Sequence, residues 1–227
     1  MNMKSGWPAP KRALILLAAT ALTIFLSMLP LGDLLTYPIR LFVTYVHELF
    51  HAVAALLTGG YVHSIAIHQD ASGETMTAGG IGWIISMAGY VGTVLLGIIC
   101  LRSMQRQANA RGILVVFFSI AALTVFYTGM NSPFGTIVGS ALAALFILTA
   151  LYGHSLLADL LAAFTSIQLL FNAFYDLKTL LILSAGHNTH TDALNMQHST
   201  GIPAIVWAIL WLSLSGYAAY KLLLQQR

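Results

Sequence analysis

The chain carries at residues 41–57 the stretch LFVTYVHELFHAVAALL, an apolar run interrupted by two histidines and one glutamate. Such a run covers most of a membrane-spanning helix, which needs about 20 residues. On a helix, His47 and His51 are four residues apart on one face, so both imidazoles can reach the same metal ion. Glu48 stands where the general base stands in HExxH zinc sites. Ionisable groups are costly inside a bilayer, so their presence there indicates a function.

The composition predicts an integral membrane protein. Of the 227 residues, 58% are hydrophobic and only 7% are charged, with a mean hydropathy of +0.83. A soluble domain carries about 25% charged residues. The formal net charge of +3 comes without a basic cluster interleaved with aromatics, so no nucleic-acid partner is expected. The single cysteine, Cys100, excludes an internal disulfide and a multi-cysteine metal site.

Apolar segments along the chain predict an all-α polytopic membrane protein with six to seven transmembrane helices. The segments cover about 12–30, 38–58, 81–101, 112–129, 135–152, 155–176 and 202–224. We expect residues 1–227 to form a single integral-membrane domain, with a core from about 37 to 215. Under this count the lysines and arginines do not follow the positive-inside rule, so no orientation is predicted.

A different pattern follows the motif helix, between Gly59 and Gly80. Residues 61–68 alternate as a strand does, residues 70–73 (Asp-Ala-Ser-Gly) are typical of a turn, and residues 74–77 can form the returning strand. The sequence therefore predicts a small β-hairpin, which must rest on the protein or at the membrane surface because two strands alone are only marginally stable.

A catalytic zinc site needs a third protein ligand besides the two histidines. The acidic residues that follow the motif are Asp70, Glu74, Asp159, Asp176 and Asp192. Glu74 follows a turn and not a helical segment, which favours an aspartate. Asp176 shares a helix face with Asn172 near the end of an apolar run. Asp192 lies in a polar loop, where it would also suit the N-cap of a short helix through Gln197.

Residues 47–51 resemble the motif helix of the site-2-protease family of intramembrane zinc metallopeptidases. Residues 172–177 (Asn-Ala-Phe-Tyr-Asp-Leu) are similar to that family's second motif, in which an Asn precedes an Asp-Gly pair on a later span. Here Leu177 replaces the glycine. The resemblance implies that Asp176 is the third zinc ligand, and we expect Asn172 to orient substrate or ligand by hydrogen bonding.

Two further segments extend the resemblance over about residues 37–215. Residues 88–92 (Ala-Gly-Tyr-Val-Gly) resemble the small-residue motif of the family's middle helix. Gly89 is therefore expected to let helices pack closely and an extended substrate approach. Residues 190–193 (His-Thr-Asp-Ala) resemble a late Ser-Asp-Ala element of the family's short multi-spanning bacterial and plant branch, which makes Asp192 the alternative third ligand.

The resemblance implies a multi-pass metalloendopeptidase of a bacterial plasma membrane that cleaves membrane-embedded or membrane-anchored proteins. His47, His51 and an aspartate would hold Zn²⁺, with Glu48 as general base. The hairpin would hold an extended substrate by strand addition. Two alternatives remain: a catalytically inactive membrane scaffold, and a membrane metal-binding or transport protein. The sequence makes no prediction of oligomeric state.

Overall fold

A computed structural model describes the backbone of residues 9–106, 109–184 and 191–224. The side chains of residues 9, 12, 130, 172–184, 218–219 and 221–224 lie outside that description. The helices are α1 Ala9–Met28, α2 Gly32–Leu57, α3 Gly82–Gln105, α4 Ala110–Thr128, α5 Pro133–Tyr152, α6 Ser155–Ser184, α7 Asp192–Thr200 and α8 Ala204–Leu224, with a 3₁₀ turn at Gly129–Asn131. The strands are β1 Tyr61–Ile67 and β2 Gly73–Ala78.

The helices confirm a mostly helical membrane protein. Within the described residues, four helices (α2 to α5) are long and apolar enough to cross a bilayer. Helices α7 and α8 meet at 118° and add a fifth span if they count as one. In α1 and α6, the apolar helical parts over Ala13–Met28 and Ser155–Phe171 are shorter. The predicted count of six to seven spans therefore stays a prediction.

Helix α2, which carries the motif, lies at the centre of the fold. It contacts α1, α3, α4, α5, α6 and both strands. Phe42 is fully buried, and its ring packs against Phe117 of α4 at 5.1 Å and Phe146 of α5 at 4.7 Å between centroids. By contrast, Leu57 and Phe126 are exposed on the outside, as expected of side chains that face lipid. One face of α2 is thus anchored in the apolar core.

The predicted β-hairpin is present directly after α2. The strands pair antiparallel from Tyr61 opposite Ala78 to Ile67 opposite Gly73, with a register shift between Val62 and Ser64. In the turn, Asp70 Oδ1 accepts hydrogen bonds from the hydroxyl and the backbone N–H of Ser72, at 2.6 and 2.9 Å. These bonds hold the pKa of Asp70 below its usual value.

The hairpin runs back alongside α2 instead of extending beyond its end. Tyr37 donates a hydrogen bond to the carbonyl of Gln69 at 2.5 Å, and Thr44 donates one to the carbonyl of Ala71 at 2.7 Å. From Leu57 back to Tyr37, α2 measures about 30 Å. The two strands therefore occupy the same depth as the motif helix.

Strand β1 is fastened to the junction of α4 and α5 by Ser132. The Ser132 hydroxyl accepts from the N–H of Ile67 at 3.2 Å, donates to the carbonyl of Ile67 at 2.9 Å, and accepts from the N–H of Gly135. Tyr45 of α2 donates to the carbonyl of Gly135. Ile65 and Ile67 are buried beneath this junction. A serine side chain thus provides the hydrogen bonds that a neighbouring strand would provide.

We expect Ser132→Ala to destabilise the protein by about 1–3 kcal/mol, because it leaves buried backbone groups of Ile67 without their partner. Thermal unfolding in detergent measures the effect. The matched control is Ser140→Ala on α5, since Ser140 is exposed and its hydroxyl donates a hydrogen bond to the Thr136 carbonyl of its own helix. An equal melting temperature for both variants would contradict this role of Ser132.

Candidate metal centre

Helix α2 places His47, Glu48 and His51 together, as the motif spacing predicts. One ligand atom from each lies within 4.8 Å of the other two. The two imidazole rings meet edge to face with centroids 4.6 Å apart. Glu48 is only 4% exposed and His51 only 6%. Buried charges require a partner or a metal ion, so this cluster needs compensation from elsewhere in the fold.

Asp192, the first residue of α7, reaches both histidines. Its Oδ2 atom lies 3.0 Å from Nε2 of His47 and 3.2 Å from Nε2 of His51. The interpretation of Asp192 as an N-cap is wrong, because Thr191 caps α7 by accepting a hydrogen bond from the N–H of Leu194 at 3.2 Å. The Asp192 carboxylate is therefore free to face the histidine pair.

The predicted ligand Asp176 and the predicted orienting residue Asn172 lie on α6. Their side chains fall outside the described residues. Both roles therefore stay predictions. The carboxylate that contacts the two histidines among the described residues is that of Asp192.

A backbone carbonyl fixes the tautomer of His51. Its Nδ1 atom lies 2.6 Å from the carbonyl oxygen of Ile85 on α3. A carbonyl only accepts, so Nδ1 must carry the hydrogen. Neutral His51 then directs the lone pair of Nε2 at the carboxylate oxygen of Asp192. Two lone pairs 3.2 Å apart repel each other unless a cation lies between them, either a proton or a metal ion.

His47 is held by aromatic packing from two other helices. The ring of Tyr90 on α3 meets the His47 ring edge to face at 4.7 Å, and Tyr90 stacks on Trp211 of α8 at 4.8 Å and 20°. Edge-to-face and offset-stacked pairs of this kind stabilise one ring orientation. The histidine on the more open side of the centre is therefore positioned by α3 and α8.

Glycines on α3 allow that helix to approach the motif. A Cβ atom at Gly89 would lie 2.6 Å from His51 Nε2 and would also overlap the ring of His47. At Gly92 it would overlap the ring of Phe50. The expectation that these glycines permit close helix packing is confirmed. Whether Gly89 also contacts substrate stays a prediction.

The hairpin covers the other side of Glu48. Thr75 Oγ1 lies 2.7 Å from Oε2 of Glu48 and 3.0 Å from its backbone carbonyl oxygen. The sequence pattern placed Thr75 on a strand but gave no sign of this contact, because the register of a strand against a helix is not encoded in local alternation.

The cluster opens into a cavity of about 750 Å³ between α2, the hairpin, α3 and α7. Much of its wall is hydroxyl, amide or backbone. Helix α7 contributes Asp192, which the sequence offered as the alternative third ligand, and also Asn195, His198 and Ser199, which sequence reasoning did not identify. A polar cavity among apolar helices can admit water, which a hydrolytic site inside a membrane requires.

The fold and the cluster define a membrane protein with an HExxH centre built among its helices. Comparison with protein families agrees: the chain belongs to the Peptidase M50B-like family, whose model matches residues 15–221. The resemblance to the site-2-protease family is thereby confirmed, and M50 families are zinc metallopeptidases. Searches of curated proteins and of solved structures give no match.

We expect Gly89→Ala to weaken metal binding by about tenfold or more, because the added methyl group must displace an imidazole and even outer residues of metal sites have effects of that size. Competition with a chromophoric zinc chelator measures the affinity. Gly112→Ala on α4 is the matched control, since a Cβ atom there meets nothing within 4 Å. Equal zinc affinities for both variants would contradict the steric argument.

Proposed function

We propose that this protein is an intramembrane zinc metalloendopeptidase that hydrolyses peptide bonds of membrane-embedded or membrane-anchored proteins. The observation that carries the proposal is the grouping of the buried His51 with the half-buried His47 and Asp192, with the buried Glu48 beside them, opening on a polar cavity among apolar helices. Family membership supports the peptidase class.

His47, His51 and Asp192 would hold the zinc ion. Zinc bonds to nitrogen and oxygen are about 2.0–2.1 Å long, so two ligand atoms of a tetrahedral site lie about 3.3 Å apart. The Asp192 Oδ2 atom lies 3.0 and 3.2 Å from the two Nε2 atoms, which fits one shared ion. The hydrogen bond from His51 Nδ1 to the Ile85 carbonyl leaves the lone pair on Nε2, which is the atom that would bind the ion. On these grounds we prefer Asp192 to Asp176.

A bound zinc ion would polarise the scissile carbonyl and lower the pKa of a coordinated water. Glu48 does not need to be a ligand. Its buried carboxylate, within 4.8 Å of the histidine ligand atoms, can take a proton from the attacking water and deliver it to the leaving nitrogen. In this scheme the two histidines of the motif, His47 and His51, bind the metal ion, and Glu48 transfers the proton.

The hairpin supports a substrate in extended conformation. A helix hides its peptide bonds, whereas an extended segment can pair with the edge of a strand. Residues of β2, including Gly73, Thr75 and Thr77, line the cavity beside Glu48. We infer that a locally unwound segment of a membrane protein adds to β2 and presents its peptide bond to the centre. Gly89 leaves room for that segment on the side of α3.

We further propose that α1 and α6 also cross the membrane, which would give the seven spans expected from the sequence, in a bacterial plasma membrane. The transport alternative calls for ionisable ligands on several spans away from the motif. In the part of the chain that the structure describes, the only cluster of three or more metal-binding side chains is the one around His47, Glu48 and His51. This distribution favours the peptidase. An activity assay separates it from an inactive scaffold.

We expect Glu48→Gln to retain zinc and to lose at least about 100-fold in cleavage rate, since an amide cannot accept the proton of water. Cleavage of a single-span model substrate by purified protein in detergent measures the rate, and elemental analysis measures zinc. Asp33→Asn is the matched acid-to-amide control, because Asp33 is exposed and, among the residues that the structure describes, its ion pair is with Arg40 at 3.3 Å. Undiminished cleavage by Glu48→Gln would refute the assigned mechanism.

We expect Asp192→Ala to lower zinc affinity by about tenfold or more, since the carboxylate lies against both histidines. Asp176→Ala is the variant to compare with it, because the sequence assigned the role of third zinc ligand to Asp176. We expect it to bind zinc as the wild type does. The reverse result, with zinc lost only in Asp176→Ala, would make Asp176 the third ligand.

A further inference from the structure

The hairpin supplies a residue that acts on the general base. We propose that Thr75 of β2 is a positioning residue for Glu48: its hydroxyl holds the carboxylate in the orientation from which it takes the proton of water. This inference rests on the proposed peptidase function. It concerns a hydrogen bond between two elements whose residues are 27 positions apart in the chain.

The Thr75 hydroxyl has two possible acceptors, both on Glu48. Thr75 Oγ1 lies 2.7 Å from Oε2 of Glu48 and 3.0 Å from the Glu48 backbone carbonyl oxygen. A threonine hydroxyl has a single hydrogen to donate. The carboxylate oxygen is the nearer of the two acceptors, and its distance is typical of a well-formed O–H···O hydrogen bond. The hydroxyl therefore donates to the carboxylate.

A second contact restricts the glutamate from the same strand. A Cβ atom at Gly73 would lie 2.7 Å from both Cγ and Oε1 of Glu48, and equally close to Cγ2 of Thr44. The backbone of β2 thus packs directly on the Glu48 side chain. Gly73 closes one side of the carboxylate while Thr75 holds the other, so few rotamers remain open to it.

The strand that carries Thr75 is itself fixed. Thr44 of α2 donates to the carbonyl of Ala71 in the turn at 2.7 Å, and Ser132 binds both backbone groups of Ile67 on β1. The hairpin is therefore held at its turn and at β1, the strand that does not carry Thr75. A hydroxyl on so constrained a strand can orient a neighbour, which a hydroxyl on a loose loop cannot do.

Orientation matters because a general base must meet the proton within hydrogen-bonding distance at the moment of transfer. A glutamate has three rotatable side-chain bonds, and a buried one without a partner can turn away from the centre. The Thr75 bond removes that freedom before substrate arrives. Since β2 is also the strand that we expect substrate to join, substrate binding and base orientation depend on the same element.

The experiment compares Thr75→Val with Thr75→Ser in the full-length protein loaded with zinc. Valine keeps the shape of threonine without its hydroxyl, and serine keeps the hydroxyl. We expect Thr75→Val to lower kcat by about 10- to 100-fold with KM changed by no more than about twofold, because general-base catalysis contributes roughly 10²–10⁴-fold. Thr75→Ser should restore kcat to within about threefold of wild type.

Thr20→Val is the matched control. Thr20 is exposed on α1, and its hydroxyl donates a hydrogen bond to the Leu16 carbonyl of its own helix at 2.9 Å. Its kcat and KM should equal those of wild type. Zinc content should be the same in all variants, which separates a misplaced base from a damaged metal centre. If Thr75→Val cannot be recovered folded, Thr75→Ala takes its place, since it removes the hydroxyl without adding bulk.

Three results would overturn the inference: wild-type kcat in Thr75→Val, a loss that appears in KM alone, or a loss in Thr75→Ser as large as in Thr75→Val. Cleavage by the wild type together with any of these would overturn the role of Thr75 and leave the peptidase function standing. No cleavage by the zinc-loaded wild type would overturn both.

Discussion

Backbone hydrogen bonding at the depth of the bilayer is the constraint on which this structure depends. Polar backbone outside a helix is tolerated there only when it is buried in protein or lines a water-filled cavity. The hairpin at Tyr61–Ala78 lies beside the motif helix and must meet that condition along both edges. Ser132 meets it for β1, and the polar cavity meets it for β2. Under the proposed function, water in this cavity would also serve hydrolysis, so the fold and the proposed chemistry would share one requirement.

A second constraint is the balance of charge at the histidine and carboxylate cluster, because these side chains lie inside the fold. Two carboxylates, Glu48 and Asp192, stand beside two imidazoles, and both Glu48 and His51 are buried. Unpaired buried anions are strongly unfavourable. With neutral histidines, a divalent cation would offset the charge of the carboxylates, and it would be the largest local charge in the site. Under the proposed function, a metal ion would therefore stabilise the arrangement of these residues as well as supply their chemistry.

Local sequence patterns were sufficient to predict the motif face of α2 and the hairpin. The four-residue spacing of His47 and His51 placed both on one face, and the alternation after Gly59 gave the hairpin in its correct position. The approach of Asp192 to His47 joins residues 145 positions apart, and no local periodicity encodes it. Asp192 became the alternative third ligand only through the resemblance of residues 190–193 to a family element. The Thr75 contact likewise needs the hairpin to turn back along α2. Such features follow from tertiary packing, which periodicity does not describe.

The Asp192 carboxylate reaches the centre because the chain bends between α7 and α8. Helices α7 and α8 meet at 118°, and Gly201 at the bend has φ of 75°, which a glycine adopts without strain. Gln197 Oε1 accepts from the N–H of Ala204 at 2.8 Å, and Thr200 Oγ1 accepts from Trp207 Nε1 at 3.2 Å, so side chains hold the bend. Helix α8 contacts α3, α6 and α7, and the bend lets α7 lie against α3. The N-terminus of α7, which is the positive end of its helix dipole, then lies at the Asp192 carboxylate beside the two histidines.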